Sequence, residues 1–217
     1  MTFRHDSDIF RPYGVLRRRQ NIPVKNYTSI VEKKTGLVAW MVSNCEDWSK
    51  RRSYVKELQK HIQVDIYGFC GKRVFKRDRN KDWMAHLNET YKFYLAFENN
   101  FCLDYISEKF FSYFNLDLVT VVRGGGDYSR DAPPKTYLNV DNFKSPKELA
   151  DYLWFLNNNT DRYIDILKRK EQVASTLSIV QQNGSKSPKL GHGARRAIRG
   201  PLLSPEHKAA PLAFCQG

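Results

Sequence analysis

Four short strand-like runs, Leu37–Val42, Val64–Gly68, Tyr91–Phe97 and Leu118–Val122, recur through the middle of this 217-residue chain. They are too short for buried helices. Leu37–Val42, Tyr91–Phe97 and Leu118–Val122 are also too continuously apolar or aromatic for strands with one wet face, so they read as strands covered on both sides. Between the first two runs, Tyr54, Val55, Leu58 and Ile62 recur at helical spacing while Lys50, Arg51, Arg52, Lys56 and Lys60 fall on other faces. Strand, helix and strand in that order make a parallel β-α-β unit. The expected fold is α/β, a parallel sheet with flanking helices.

Gly71 to Thr90 is polar, a loop with a short helix near Trp83. Asp104 is placed to cap a helix whose apolar face is Ile106, Phe110, Phe111 and Phe114. Arg123 to Asp127 is a turn in which Gly124, Gly125 and Gly126 permit positive φ, a weak phosphate-loop signal. Ala132 to Pro134 is extended and Tyr137 to Val140 is a short strand. Ser145-Pro146-Lys147-Glu148 is a capping box with proline at the first helical position. Leu149, Tyr152, Leu153 and Leu156 line that helix, Asn157 to Asn159 end it, and Tyr163, Ile164 and Leu167 carry another to about Glu171. Residues 1–34 are charged and broken by Pro12 and Pro23, so a linker or frayed lead-in is expected there. The folded domain is expected over 35–174, and a basic, disordered tail over 175–217.

Thirty-six Lys and Arg against 23 Asp and Glu leave a net charge of +13, which calls for an anionic partner. No apolar run approaches the roughly 20 residues of a membrane span, and the opening residues lack the apolar stretch of a secretion signal. The chain as it stands is expected to be soluble. Cys45, Cys70, Cys102 and Cys215 form no C-x-x-C pair, and His5, His61, His86, His192 and His207 are scattered, so no zinc site is expected. Neither a G-x-S-x-G elbow nor a G-x-x-x-x-G-K-[ST] loop occurs.

Open parallel sheets bind ligands beyond the carboxyl ends of their strands. Ser43-Asn44, Glu98-Asn99 and Arg123-Gly124 occupy those positions here. Helix N-termini facing the same crevice would suit a diphosphate. Arg51 and Lys109 could supply fixed cations for a nucleotide-diphosphate leaving group, and Glu108 could accept hydrogen bonds from sugar or ribose hydroxyls. The adjacent Glu108-Lys109 pair also reads as solvated charge on a helix.

The wording of the chain adds to this. Tyr91-Lys92-Phe93-Tyr94-Leu95-Ala96-Phe97-Glu98-Asn99, then Cys102, then Asp104-Tyr105-Ile106-Ser107-Glu108-Lys109-Phe110 resembles the signature of α1,3-fucosyltransferases. Trp40 to Cys45, Arg51, Val64 to Gly68, Tyr128-Ser129 with Ala132 to Pro134, and Phe143 to Pro146 follow in the order of that family, over about residues 37 to 171. The Ser43-Asn44-Cys45 wording is similar to the invertebrate and plant branch acting on the core of N-glycans. The resemblance implies a Rossmann-like parallel sheet with flanking helices, the C-terminal half of a GT-B, inverting enzyme that binds GDP-fucose and transfers fucose in α1,3 linkage to GlcNAc of a glycoprotein N-glycan. It implies that Arg51 and Lys109 hold the diphosphate, that Tyr105 and Glu108 contact the nucleotide sugar, and that Ser43, Asn44, Glu98 and Asn99 line the pocket. No cofactor is implied, and no metal is expected to be required where side chains supply the cations. The family's acceptor domain, carboxylate base and membrane anchor have no counterpart in Met1 to Lys34, so the implied Golgi location would depend on an anchor this chain lacks.

Departures from the family accompany the matches. Val119-Thr120-Val121-Val122 stands where the family has Val-Pro-Val-Val, and Arg123 stands where a small residue is usual. Cys45 and Cys70 end neighbouring strands, where a bridge fits an oxidising compartment and two buried thiols fit equally well. Sequons at Asn26, Asn88, Asn158 and Asn183 suit a lumenal protein. Two other readings stand beside the transferase: an inactive donor-binding remnant, and a basic protein that binds nucleic acid. The second is disfavoured because the aromatic residues cluster in the strands and do not alternate with Lys and Arg.

Overall fold

The computed structural model describes residues 2–72 and 82–178. The elements in chain order are β1 (Gly14–Arg18), α1 (Tyr27–Glu32), β2 (Gly36–Met41), α2 (Arg51–Leu58), β3 (Val64–Tyr67), α3 (Trp83–Thr90) and β4 (Tyr91–Phe97). They continue with α4 (Glu108–Phe114), β5 (Val119–Arg123), α5 (Tyr128–Asp131), β6 (Leu138–Asn139), α6 (Pro146–Asn158), α7 (Thr160–Glu171) and β7 (Val173–Leu177). Five strands form one parallel sheet in the order β3-β2-β4-β5-β6. This is the α/β fold expected from the apolar runs.

Alternate residues of the central strands feed two cores. Val38, Trp40, Phe93, Leu95, Phe97, Val119 and Val121 pack against α1, α2, α6 and α7. Ala39, Tyr94, Ala96 and Val122 face α3, α4 and α5, where Phe110, Phe111 and Phe114 fill the space. Burial on both faces explains why these strands carry almost no polar residues. Each fully buried Phe or Leu contributes about 1.5–3 kcal/mol.

Several local expectations change in three dimensions. Within the stretch expected to be a frayed lead-in, β1 pairs antiparallel with β7, Gly14 opposite Leu177 and Arg18 opposite Val173. The ribbon lies on α4, and a side chain at Gly14 would meet the Phe111 ring at 2.6 Å. A strand whose partner follows some 155 residues later leaves no local pattern to read. The expected disordered tail begins inside β7, and from residue 179 it lies outside the described residues. Asp104 does not cap α4; Ser107 does, its hydroxyl accepting from the Lys109 amide at 3.3 Å. Gly124, Gly125 and Gly126 are not at positive φ. They are needed for close approach instead, because a Cβ at Gly125 would lie 2.5 Å from the Cys102 carbonyl and one at Gly126 would lie 2.4 Å from Ile106. The capping box forms in a shifted version: Ser145 accepts from the Glu148 amide at 3.2 Å, while the Glu148 carboxylate reaches back to the Lys144 amide at 2.6 Å. Cys45 and Cys70 are joined in a disulfide that ties the segments after β2 and β3.

At the amino ends of the strands two lysines are buried. Lys170 donates to the carbonyls of Leu116 and Leu118, and Lys34 donates to those of Asn88 and Tyr91. Burial lowers Lys170 to about 7 and Lys34 to about 8. Between those values and the ordinary lysine value near 10.5 the unfolded chain binds more protons than the folded one, so stability rises with pH across that interval. Thermal unfolding is therefore expected to move up by on the order of 5 °C from pH 7 to pH 9. Lys170→Met, measured by calorimetry over the same range, should remove much of that rise.

Candidate functional site

The order β3-β2-β4-β5-β6 reverses direction between β2 and β4. There the helices following the two strands lie on opposite faces of the sheet, and the carboxyl ends open a crevice. Arg51, the first residue of α2, ties that opening together. Its guanidinium donates to the Phe97 carbonyl at the end of β4 (3.0 Å) and to the Asn44 carbonyl beyond β2 (2.9 Å), and it lies 5.8 Å from the Trp40 ring. It is only 3% exposed. Burial lowers its pKa, with Glu98 acting in the opposite direction. The α2 helix starts here because Asp47 caps it from outside, its carboxylate accepting from the amides of Arg52 (2.7 Å) and Ser53 (3.1 Å). An anion of the chain itself thus occupies the helix N-terminus that the sequence reading left open for a diphosphate.

Beside this tie sits a second group. Glu98, fully buried, receives the Ser107 amide on Oε1 and the Ser107 hydroxyl on Oε2, each at 2.8 Å. Lys109 Nζ reaches Ser107 Oγ at 2.9 Å, Glu108 Oε1 at 3.1 Å and Glu98 Oε2 at 3.2 Å. Burial pushes the Glu98 carboxyl up, partly offset by Lys109 and Ser107. Burial works against the Lys109 ammonium, but Glu98 and Glu108 outweigh it and raise its pKa. Lys109 is therefore held as a cation, and its side chain keeps 27% of its surface open. It is the accessible positive charge of the group.

The remaining sequence candidates distribute around these two. Ser43 and Asn44 are exposed at the rim, and Asn44 Oδ1 accepts from the Glu46 amide at 3.0 Å. Asn99 carries a buried Oδ1 with no hydrogen-bond partner, as does Asn100. Glu108 is partly exposed. Tyr105 lies before α4 against the rings of Phe3 (5.0 Å) and Tyr13 (5.6 Å). Burial, then Glu98 and Tyr13, hold its phenol well above the ordinary tyrosine range. Arg123, which stands where the family has a small residue, turns inward: it donates to the Ser49 carbonyl at 2.5 Å and covers the Phe101 ring at 4.5 Å. Ser49 in turn donates to the Glu98 carbonyl at 2.8 Å.

The structure thus brings Arg51, Glu98, Glu108 and Lys109 to one end of the sheet, and adds Asp47, Ser49 and Ser107, which residue-by-residue reading passed over. Ser107 had a legible signal as a serine preceding an acidic first helical turn; Ser49 had none. Open cavities of 510 and 590 Å³ lie elsewhere, at the amino ends of β2 and β4 and beside β6, α6 and α7. Asp6-Ser7-Asp8 is an Asp-x-Asp triplet, but Asp6 is bound by Arg4 at 2.8 Å, and among the described residues no three His, Cys, Asp or Glu side chains converge on a metal position.

Comparison with known proteins gives this geometry its setting. The family model for glycosyltransferase family 10 (fucosyltransferase), C-terminal region, matches residues 31–190. The chain belongs to this family. The match reaches beyond the 37–171 stretch carried by the motif wording at both ends. Among family 10 relatives, glycoprotein 3-alpha-L-fucosyltransferase A of Drosophila melanogaster is 43% identical over 180 residues, covering 78% of this chain and 35% of the relative. Alpha-(1,3)-fucosyltransferase C of the same fly is 38% identical over 183 residues, covering 76% of this chain and 43% of the relative. A crystal structure of an α1,3-fucosyltransferase with GDP-fucose superposes with a TM-score of 0.54 at 26% identity, over 62% of this chain and 38% of that one. The chain therefore spans less than half the length of these relatives. Among the described residues no helix is long and apolar enough to cross a membrane.

Proposed function

We propose that this family 10 chain binds GDP-fucose beyond the carboxyl ends of β2 and β4, as part of an enzyme that transfers fucose in α1,3 linkage to GlcNAc of a glycoprotein N-glycan. The observation that carries the reading is the Lys109 cation, open on one flank and fixed by Glu98 and Ser107 beside the Arg51 tie at the switch point of the sheet. In this reading Lys109 meets the diphosphate. Arg51, whose hydrogen bonds go to two strand-end carbonyls, holds the crevice and adds positive potential behind it. Tyr105 and Glu108 contact the nucleotide sugar, and Ser43, Asn44 and Asn99 line the pocket.

The reaction is a single displacement at the anomeric carbon of fucose. An acceptor hydroxyl forms the new C–O bond and loses its proton to a base, while the bond to the diphosphate breaks and GDP departs with its electron pair. Fixed cations stabilise the charge that grows on the leaving oxygen, so the proposal calls for no metal. Glu98 is a positioning group and not the base, because Ser107 and Lys109 already occupy both its oxygens. The glycoprotein relatives favour a Golgi setting for the whole enzyme.

Calorimetric titration with GDP-fucose, GDP and an unrelated oligonucleotide tests the reading. The expected result is binding of both GDP ligands and none of the oligonucleotide. Oligonucleotide binding without GDP binding would overturn it in favour of the nucleic-acid reading.

A further inference from the structure

Residues 2–13 are organised around the candidate site. The Thr2 amide donates to the Ile9 carbonyl at 3.2 Å and the Arg11 amide to the Thr2 carbonyl at 2.7 Å, which closes residues 2–11 into a loop. Ser7 Oγ donates inward to the Arg4 carbonyl at 2.8 Å. The His5 ring stacks on Phe10 at 4.3 Å. A loop closed by its own hydrogen bonds and rings acts as a unit. The β1–β7 pairing that follows anchors it to the strand after α7.

What the loop rests on is the segment that leads into the Ser107–Lys109 group. Phe3 meets the Tyr105 ring edge-on at 5.0 Å, Tyr13 does the same at 5.6 Å, and the two rings lie 6.2 Å from each other. The His5 amide donates to Asp104 Oδ2 at 3.1 Å, and the His5 ring lies 3.7 Å from the Asp131 carboxylate. Asp104 has φ of +60°, a conformation that aspartate and asparagine tolerate better than other residues with a side chain. Gly126 closes the other side, where a Cβ would lie 3.1 Å from the Tyr105 carbonyl. Tyr105 is thus held by the two rings of the loop, by the turn at Asp104 and by the glycine run after β5.

We propose that residues 2–13 are a positioning strap: Phe3 and Tyr13 orient the Tyr105 ring, and the His5 amide pins the Asp104 turn, so that the strap sets the affinity of the site for its nucleotide sugar. Phe3, Tyr13 and Asp104 are positioning residues and touch no substrate; they act through Tyr105. The proposal rests on the GDP-fucose reading of the site. Its physical content is preorganisation. A ring fixed before the ligand arrives loses less freedom on binding than one that must be ordered by it.

The test is calorimetric titration of GDP-fucose against the full chain and its variants, with thermal unfolding recorded for each. An edge-to-face ring contact of about 0.5–1.5 kcal/mol converts to roughly a 3- to 10-fold change in affinity. Phe3→Ala is expected to weaken binding by about that factor and Phe3→Tyr to restore it. In a Tyr105→Ala background, Phe3→Ala is expected to have no further effect on affinity, because the ring it orients is gone. Asp104→Ala is expected to weaken binding about 10-fold, while Asp104→Asn, which keeps the acceptor and tolerates the positive φ, should bind like the parent chain. Should Phe3→Ala fail to fold, the two Asp104 variants decide. Unchanged affinity in Phe3→Ala, or the same loss with and without Tyr105, would overturn the strap while leaving the donor reading intact. A parent chain that binds no GDP-fucose overturns both.

Discussion

Lys109→Ala is expected to weaken GDP binding by about 10- to 100-fold while leaving GMP binding within about threefold, the loss corresponding to one hydrogen bond between charged groups. GMP lacks the second phosphate that the Lys109 ammonium is placed to meet. The substitution has a second effect, because Lys109 lies 3.2 Å from the fully buried Glu98 carboxylate. Without that cation the carboxyl, already pushed up by burial, rises further. The expected accompaniment is a lower unfolding temperature above the new Glu98 pKa. The double variant Lys109→Ala with Glu98→Gln separates the two effects: the amide needs no counter-ion, so stability should return while GDP affinity stays low. Isothermal titration with GDP and GMP, together with unfolding curves from pH 5 to 9, measures both. Equal losses for GDP and GMP would remove Lys109 from the diphosphate.

Arg51→Met is expected to cost about 3–5 kcal/mol of stability, an unfolding temperature lower by on the order of 10 °C. Two hydrogen bonds from a charged donor disappear, and the Phe97 and Asn44 carbonyls lose their partner. GDP affinity should fall as well, because the ends of β2 and β4 are no longer joined across the crevice. Arg51→Lys should recover little, since a single ammonium cannot span two carbonyls on different strands as a planar guanidinium does. Calorimetric unfolding decides the point. A stable Arg51→Met chain that has lost only GDP affinity would make Arg51 a direct phosphate ligand and not a tie.

The two residues illustrate how differently a sequence reports on a site. Family wording placed both Arg51 and Lys109 with the diphosphate. The chain folds so that one is 3% exposed, with both terminal nitrogens donating to carbonyls, and the other keeps an open flank. Nothing in the spacing of Arg51 from Tyr54 and Leu58 distinguishes a guanidinium that points out from one that bridges strand ends. Asp47 was hidden for a related reason. Its carboxylate reaches the amides of Arg52 and Ser53 only because Lys50 adopts φ of 54° and turns the chain back on itself. Capping by Ser107 in place of Asp104 is a matter of three residues of helix length, within the usual uncertainty of helix ends.

The amino-acid sequence alone determined the layered α/β architecture and the strands that build it. Burial on both faces forces a near-unbroken apolar run, and the amphipathic helices between such runs make parallel crossovers. It also determined the family, through residues 91–110, where strand, loop and helix start are all specified by their side chains. The tertiary structure alone decided the pairing of β1 with β7, the close packing that requires Gly124, Gly125 and Gly126, and the partners of Glu98, Arg51 and Tyr105. Each of these joins groups distant in sequence, or turns on whether a neighbouring backbone leaves room for a side chain. Contacts of that kind have no local period, so they exist only once the chain has closed on itself.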